Sequence, residues 1–353
     1  MNLSGFLFIF LQKRGTTVQN NFYNTNEYAP PVGMPPVFNY HRITQAGKSD
    51  LKRLSLRIGV CILIFLTAPY ILGFTLNFLG IYDLYLNNTA FQYAVELVYS
   101  VIFLFLPFFI LYKNDTEENK IRMENSLEKP VSAGLFFSAI GFGLMLCFCG
   151  DFVSGWVSAF FENLGITLTT TAEVSIPTSG APLLLFFLST AILPAAIEEF
   201  AMRTVTMQAM RKYGDRFAII MSSLVFGLMH RNAVQGIFAF IAGVVFGYIT
   251  IATKSVWTAV VVHSLNNGAY VLFNVINESN AALFEKIYPI FLTAVFVIGL
   301  GCSVPFLMSS NRQKLKKAPV FPNTKEKLKS FLFTIPMVIA VIWMLVYTLF
   351  VQI

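Results

Sequence analysis

The side chains of this chain that could do chemistry fall in three blocks: Glu198, Glu199 and Arg203; Phe226 and His230; His263 and Asn267. Glu199 and Arg203 are four residues apart and share a helix face, with the acid first, the favourable order for such a pair. Glu198 points about 100° away from its neighbour and is left to face a cavity. An unpaired carboxylate there suits a general base. His263 and Asn267 share a face as well, and a histidine with an amide one turn on can donate hydrogen bonds to an oxyanion. Asn266 lies off that face. Two mechanisms fit. In one, Glu198 takes a proton from a water held with His230, while His263 and Asn267 stabilise the tetrahedral oxyanion. In the other, Glu198, His230 and His263 bind zinc, which polarises the water instead. No His-Glu-x-x-His helix is present, and the metal-free mechanism, without any cofactor, is the favoured one. The bland alternative places both acids at a wet membrane edge and makes each histidine a packing residue.

These groups must be positioned by helices in lipid. The chain has 353 residues, is 56% hydrophobic and only 12% charged, with 37 phenylalanines and a mean hydropathy of +0.66. A soluble domain carries about 25% charged residues. The composition therefore predicts an all-α, polytopic transmembrane helix bundle. An ionisable side chain at bilayer depth costs at least ~2.5–3.5 kcal/mol, so those near Glu198, His230 and His263 are functional candidates by default. The formal charge of +7 is no sign of nucleic-acid binding. The bases gather where helices would leave the membrane: Lys48, Lys52, Arg53 and Arg57; Arg211, Lys212 and Arg216; Arg312, Lys314, Lys316 and Lys317. Cys61, Cys147, Cys149 and Cys302 all sit in apolar runs with no metal-site spacing.

Judged against the ~20 apolar residues that a membrane helix needs, about nine spans are expected, near 56–79, 91–112, 131–156, 181–201, 216–230, 233–252, 255–276, 287–308 and 330–351. Four regions follow: a mobile cytoplasmic tail over 1–55, N-terminal membrane helices over 56–176, catalytic helices over 177–276 and C-terminal helices over 277–353. Phe6–Leu11 is too short to span, and a signal peptide is not expected. His41, in the tail, reads as an ordinary solvated residue. The charge bias of the loops places the N-terminus inside and the C-terminus outside. Residues 202–213 mix apolar and basic side chains and fit either an interfacial helix or an extension of the fourth span. Gly243-xxx-Gly247, with Gly236 before it, permits close helix packing; packing within one bundle is favoured, and an oligomer is open but unsupported. Depth poses a difficulty. Straight helices with these bounds leave Glu198 and His230 about 14 Å apart in level.

The three blocks Glu198-Glu199-x-x-x-Arg203, Phe226-x-x-x-His230 and His263-x-x-x-Asn267 resemble the motifs of the CPBP family, which includes the type II CAAX prenyl endopeptidases and the Abi or bacteriocin-immunity proteins. Lys254-Ser-Val-Trp257 resembles the lead-in to the third block, although Trp257 beside Lys254 is expected as an interfacial anchor in any case. The likeness covers roughly residues 180–275. It departs at Met202, where an aromatic is common, and at Thr204, where glycine is frequent. It implies an intramembrane endopeptidase with Glu198 as base, His230 holding the water, and His263 and Asn267 at the oxyanion; family members are often described as metalloproteases. The expected partners are membrane lipid and a peptide or membrane-protein substrate, in the cell membrane if the source is bacterial, with the cavity open to the cytoplasm. A non-catalytic immunity or scaffold protein is the alternative, and a proton-coupled transporter a weaker one.

Overall fold

The computed structural model describes residues 36–165, 176–231, 233–317 and 324–351. Every regular element in them is helical. In chain order they are α1 (Pro36–Phe78), the short α2 (Tyr82–Asn87), α3 (Thr89–Lys113), α4 (Glu117–Ser126), α5 (Ala133–Asn163) and α6 (Gly180–Tyr213). Then follow α7 (Asp215–Met229), α8 (Ala233–Thr253), α9 (Val256–Ser279), α10 (Ala281–Met308), α11 (Thr324–Leu332) and α12 (Ile335–Val351). Seven of these helices, α1, α3, α5, α6, α8, α9 and α10, are long and apolar enough to cross a membrane. The α11–α12 pair, bent by 77°, makes an eighth if it is counted as one span.

The difference from nine lies in α7. Its 15 residues reach only about 22 Å, short of the ~30 Å hydrocarbon core. Nearly all of its side chains are buried against protein. An apolar stretch can be covered by neighbouring helices as well as by lipid, and hydropathy does not distinguish the two.

Two boundaries also move. The fourth helix does not stop near 201 but continues to Tyr213, so residues 202–213 extend it. Residues 36–55, expected in a mobile tail, belong to α1. Their polar groups meet partners far along the chain. Lys48 pairs with Glu326 at 2.5 Å, Asp50 accepts from Tyr213 Oη at 2.6 Å and pairs with Lys212, and Ser55 Oγ donates to Phe331 O at 2.5 Å. Leu51 and Leu54 are buried beside them. The tail before residue 36, and the side chain of His41, lie outside the described residues.

The continuation of α6 removes the depth difficulty. Gly214, at φ 110°, turns α6 into α7. Glu198 stands 16 residues before it and His230 16 after it. Both therefore lie about 24 Å from the same turn along antiparallel helices. α6 is itself bulged on either side of Pro194, with π-helical stretches at Leu188–Ile192 and Phe200–Met207. Such bulges are frequent at functional sites.

Glycines let α8 press against α7. A Cβ on Gly227 would stand 2.8 Å from the carbonyl oxygen of Gly236, and one on Gly243 would stand 3.1 Å from Arg203 Nη2. The Gly243-xxx-Gly247 stripe is thus used within the bundle, against Ser223, Ile219, Met207 and Arg203. Gly227→Val is expected to destabilise the protein by about 1–3 kcal/mol, because the obstacle is backbone that cannot rotate away. A thermal melt in detergent checks this, and Gly155→Ala, where a Cβ meets nothing within 4 Å, serves as the neutral control.

Candidate active site

The first-named carboxylates, both histidines and the arginine converge between α6, α7, α8 and α9. Glu199 and Arg203 are wholly buried, one turn apart, with Arg203 Nη1 donating to Glu199 Oε1 at 3.0 Å. The same oxygen accepts from His263 Nδ1 at 3.0 Å. Glu199 therefore ties α6 to α9. Arg203 lies between two rings, with its guanidinium carbon 4.5 Å from the Phe226 centroid and 5.2 Å from that of Phe246. Stacking on aromatic faces suits a planar, delocalised cation deprived of water.

Glu198 is placed differently. Its carboxylate is partly exposed, and Oε2 stands 3.7 Å from His263 Nε2, close enough to feel a charge but beyond a direct hydrogen bond. The two adjacent acids thus occupy opposite nitrogens of one imidazole. His263 is held flat by Phe246, stacked at 4.9 Å and 21°, and Phe226 edges both histidines, at 4.9 Å from His230 and 5.9 Å from His263. His230 caps α7. Its Nδ1 donates to Phe226 O at 2.8 Å, which leaves Nε2 as the nitrogen able to accept. Arg231 then ends the helix at φ 56°, a left-handed position more often taken by glycine.

Asn267 is turned toward α6. Pro194 has no N–H, so the carbonyl of Thr190, four residues before it, loses the donor that an unbroken α-helix would supply. Asn267 Nδ2 donates to that carbonyl at 3.1 Å, using one of its two amide hydrogens. Asn266, set aside on the sequence because it lies off the His263 face, is buried and donates to Asn267 Oδ1 at 3.3 Å. Trp257 is half exposed and donates from Nε1 to Leu127 O at 2.8 Å, so it clamps the α4–α5 connection as well as standing at the edge of the bundle.

Phe246 and Thr190 were not legible beforehand. Phe246 is one phenylalanine among 37, and Thr190 acts through its backbone. A signal for the second did exist, since a proline eight residues into the run Phe187–Leu193 onward must orphan a carbonyl one turn earlier. Among the described residues, no three His, Cys, Asp or Glu side chains gather as a metal-binding set. His263 spends Nδ1 on Glu199, and His230 spends Nδ1 on Phe226 O. These bonds fix the tautomers and leave Nε2 of both rings free, with Glu198 Oε2 3.7 Å from that of His263.

The all-helical membrane bundle thus encloses a carboxylate–histidine–arginine cluster among its helices, side chains of the kinds that acid–base chemistry uses. Residues 180–269, from the start of α6 into α9, match the family model described as Type II CAAX prenyl endopeptidase Rce1-like. This segment carries Glu198, Glu199, Arg203, His230, His263 and Asn267. A curated relative, the Membrane-embedded CAAX protease MroQ of Staphylococcus aureus (strain USA300), is 25% identical over 191 residues, which cover 52% of this chain and 76% of the relative. No solved structure matches. The chain is an integral membrane protein whose residues 180–269 are similar to the CAAX-type endopeptidases of the CPBP family.

Proposed function

We propose that the chain is an intramembrane endopeptidase in which Glu198 activates water against a peptide bond near the membrane face. The observation that carries this reading is the division of labour around His263. Glu199 holds Arg203 and His263 through one oxygen, while Glu198 is left partly exposed beside the other imidazole nitrogen. In the proposed sequence, a water bound between Glu198 and His230 Nε2 loses its proton to Glu198. The hydroxide adds to the scissile carbonyl, and the protonated Glu198 then delivers that proton to the departing amine. His263 and the second amide hydrogen of Asn267 face the oxyanion. Because Nδ1–H is given to Glu199, His263 can donate from Nε2 only as the imidazolium. Glu199 and Arg203 position that ring and are not consumed.

The scheme we propose is metal-free. The basic connections of the bundle are joined at one end: Lys212 to Asp50, Asp215 Oδ2 to Lys316 N at 2.9 Å, and Gln313 N to Ala252 O at 3.0 Å. The positive-inside bias assigns that end to the cytoplasm, about 24 Å along α6 and α7 from Glu198 and His230. The substrate in this reading is a peptide or membrane protein, prenylated or not.

A trapping experiment tests the proposal. Glu198→Gln should hold uncut substrate in its native membrane, and mass spectrometry of the purified variant should find a peptide segment that wild type releases in two pieces. Recovery of the same uncut protein from wild type and variant alike would favour a non-catalytic scaffold.

A further inference from the structure

A second polar feature of the bundle lies away from these helices. Asp151 is exposed on the flank of α5, in an open cavity of about 240 Å³ lined by Phe148, Phe152, Gly155, Trp156, Tyr288 and Leu292. All of these belong to α5 or α10, and none to the helices bearing Glu198, His230 or His263. The Asp151 carboxylate has neither a hydrogen bond nor an ion pair among the described residues. An unpaired acid on the outer flank of a membrane helix is rare and attracts a cation. Aromatic walls select which counter-ion. Ring faces attract alkylated ammonium groups, and a cage of several rings with a carboxylate is the usual receptor for them.

The walls are held from behind. Tyr288 stacks on Phe284 at 5.1 Å and meets Phe273 edge-on at 5.0 Å, while Phe148 meets Phe291 edge-on at 5.6 Å. The mouth faces outward, with Trp156 74% exposed and Phe152 47% exposed on the flank of the bundle. The depth points to the source of the cation. Asp151 is 18 residues into α5 from Ala133, about 27 Å from the end where the basic connections lie. That distance is close to the full ~30 Å of hydrocarbon, so the cavity opens at the headgroup boundary of the opposite leaflet.

We propose that this cavity is a lipid site that seats the ammonium headgroup of a phospholipid from the leaflet opposite the basic end, with Asp151 as counter-ion and Phe148, Phe152, Trp156 and Tyr288 as its walls. Gly155 forms open floor, since a Cβ there meets nothing within 4 Å. A larger residue at 155 fills the cavity without displacing a neighbour.

The test uses the full chain in nanodiscs of equimolar phosphatidylglycerol and phosphatidylethanolamine, with retained lipids identified by native mass spectrometry. Wild type should enrich the ammonium lipid about tenfold over phosphatidylglycerol, the equivalent of one desolvated cation–π contact. Asp151→Asn should abolish the preference by removing the charge, and Gly155→Leu should abolish it by removing the space with Asp151 intact. Tetramethylammonium should displace the retained lipid from wild type. Equal retention of the two lipids by wild type, or an enrichment that survives both substitutions, would overturn the proposal. Binding of tetramethylammonium without any lipid enrichment would also overturn it, since the cation would then come from solution.

Discussion

Arg203→Met should cost about 3–5 kcal/mol of stability, the usual consequence of removing one partner of a buried ion pair and stranding the other. Arg203 and Glu199 are both fully buried, and Arg203 fills the gap between Phe226 and Phe246. Methionine replaces part of that volume but supplies no charge, so Glu199 is left with His263 alone. Loss of the shared anchor should also release the His263 ring, and peptide hydrolysis should fall with it. The double variant Glu199→Gln, Arg203→Met separates the two effects. It removes both charges, and stability should return to within about 1–2 kcal/mol of wild type because no unpaired ion remains. A glutamine oxygen still accepts the Nδ1–H of His263, but activity should stay low because a neutral amide does not balance an imidazolium. Unfolding in detergent, alongside hydrolysis at a temperature where both variants are folded, checks the pair. Full recovery of activity in the double variant would show that Glu199 and Arg203 matter only to folding.

The larger kinetic effect is expected at Glu198. General acid–base catalysis contributes about 10²–10⁴-fold, and Glu198→Gln removes it while preserving shape. Folding should be almost unaffected, since this carboxylate is partly exposed and makes no hydrogen bond short enough to hold the fold. The contrast with Arg203 is the informative part. One substitution should lower stability and activity together, the other activity alone. A Glu198→Gln protein that melted as early as Arg203→Met would mean that Glu198 is structural.

The spacing of the motifs made the candidate cluster readable in the sequence. Residues four apart on apolar spans share a face, and the Glu199–Arg203 pair follows from that alone. Hydropathy likewise revealed an all-helical membrane bundle. What stayed hidden depends on contacts between distant segments. Lys48, Asp50 and Ser55 look like tail residues until Glu326, Lys212 and Phe331 are brought beside them. α7 looks like a membrane span because its apolar side chains are buried by helices instead of lipid. The extension of α6 through Arg203 and Gln208 to Tyr213 contradicts the simple rule that polar residues end a span. It holds because those polar groups find partners: Glu199 for Arg203, and Arg211 for Gln208. That extension brings Glu198 and His230 to one level. The turn of Asn267 toward Thr190 O rests on a backbone carbonyl whose α-helical donor is missing at Pro194.

The central claim is that Glu198 activates water without a metal. The direct measurement is hydrolysis of a quenched-fluorescence peptide library, with prenylated and unprenylated members, by purified wild-type and Glu198→Gln protein in nanodiscs after exhaustive chelation. The account predicts cleavage by wild type that chelation leaves unchanged, and a loss of about 10²-fold or more in Glu198→Gln. Equal cleavage by the two proteins, or wild-type activity that vanishes on chelation and returns with zinc, would contradict it.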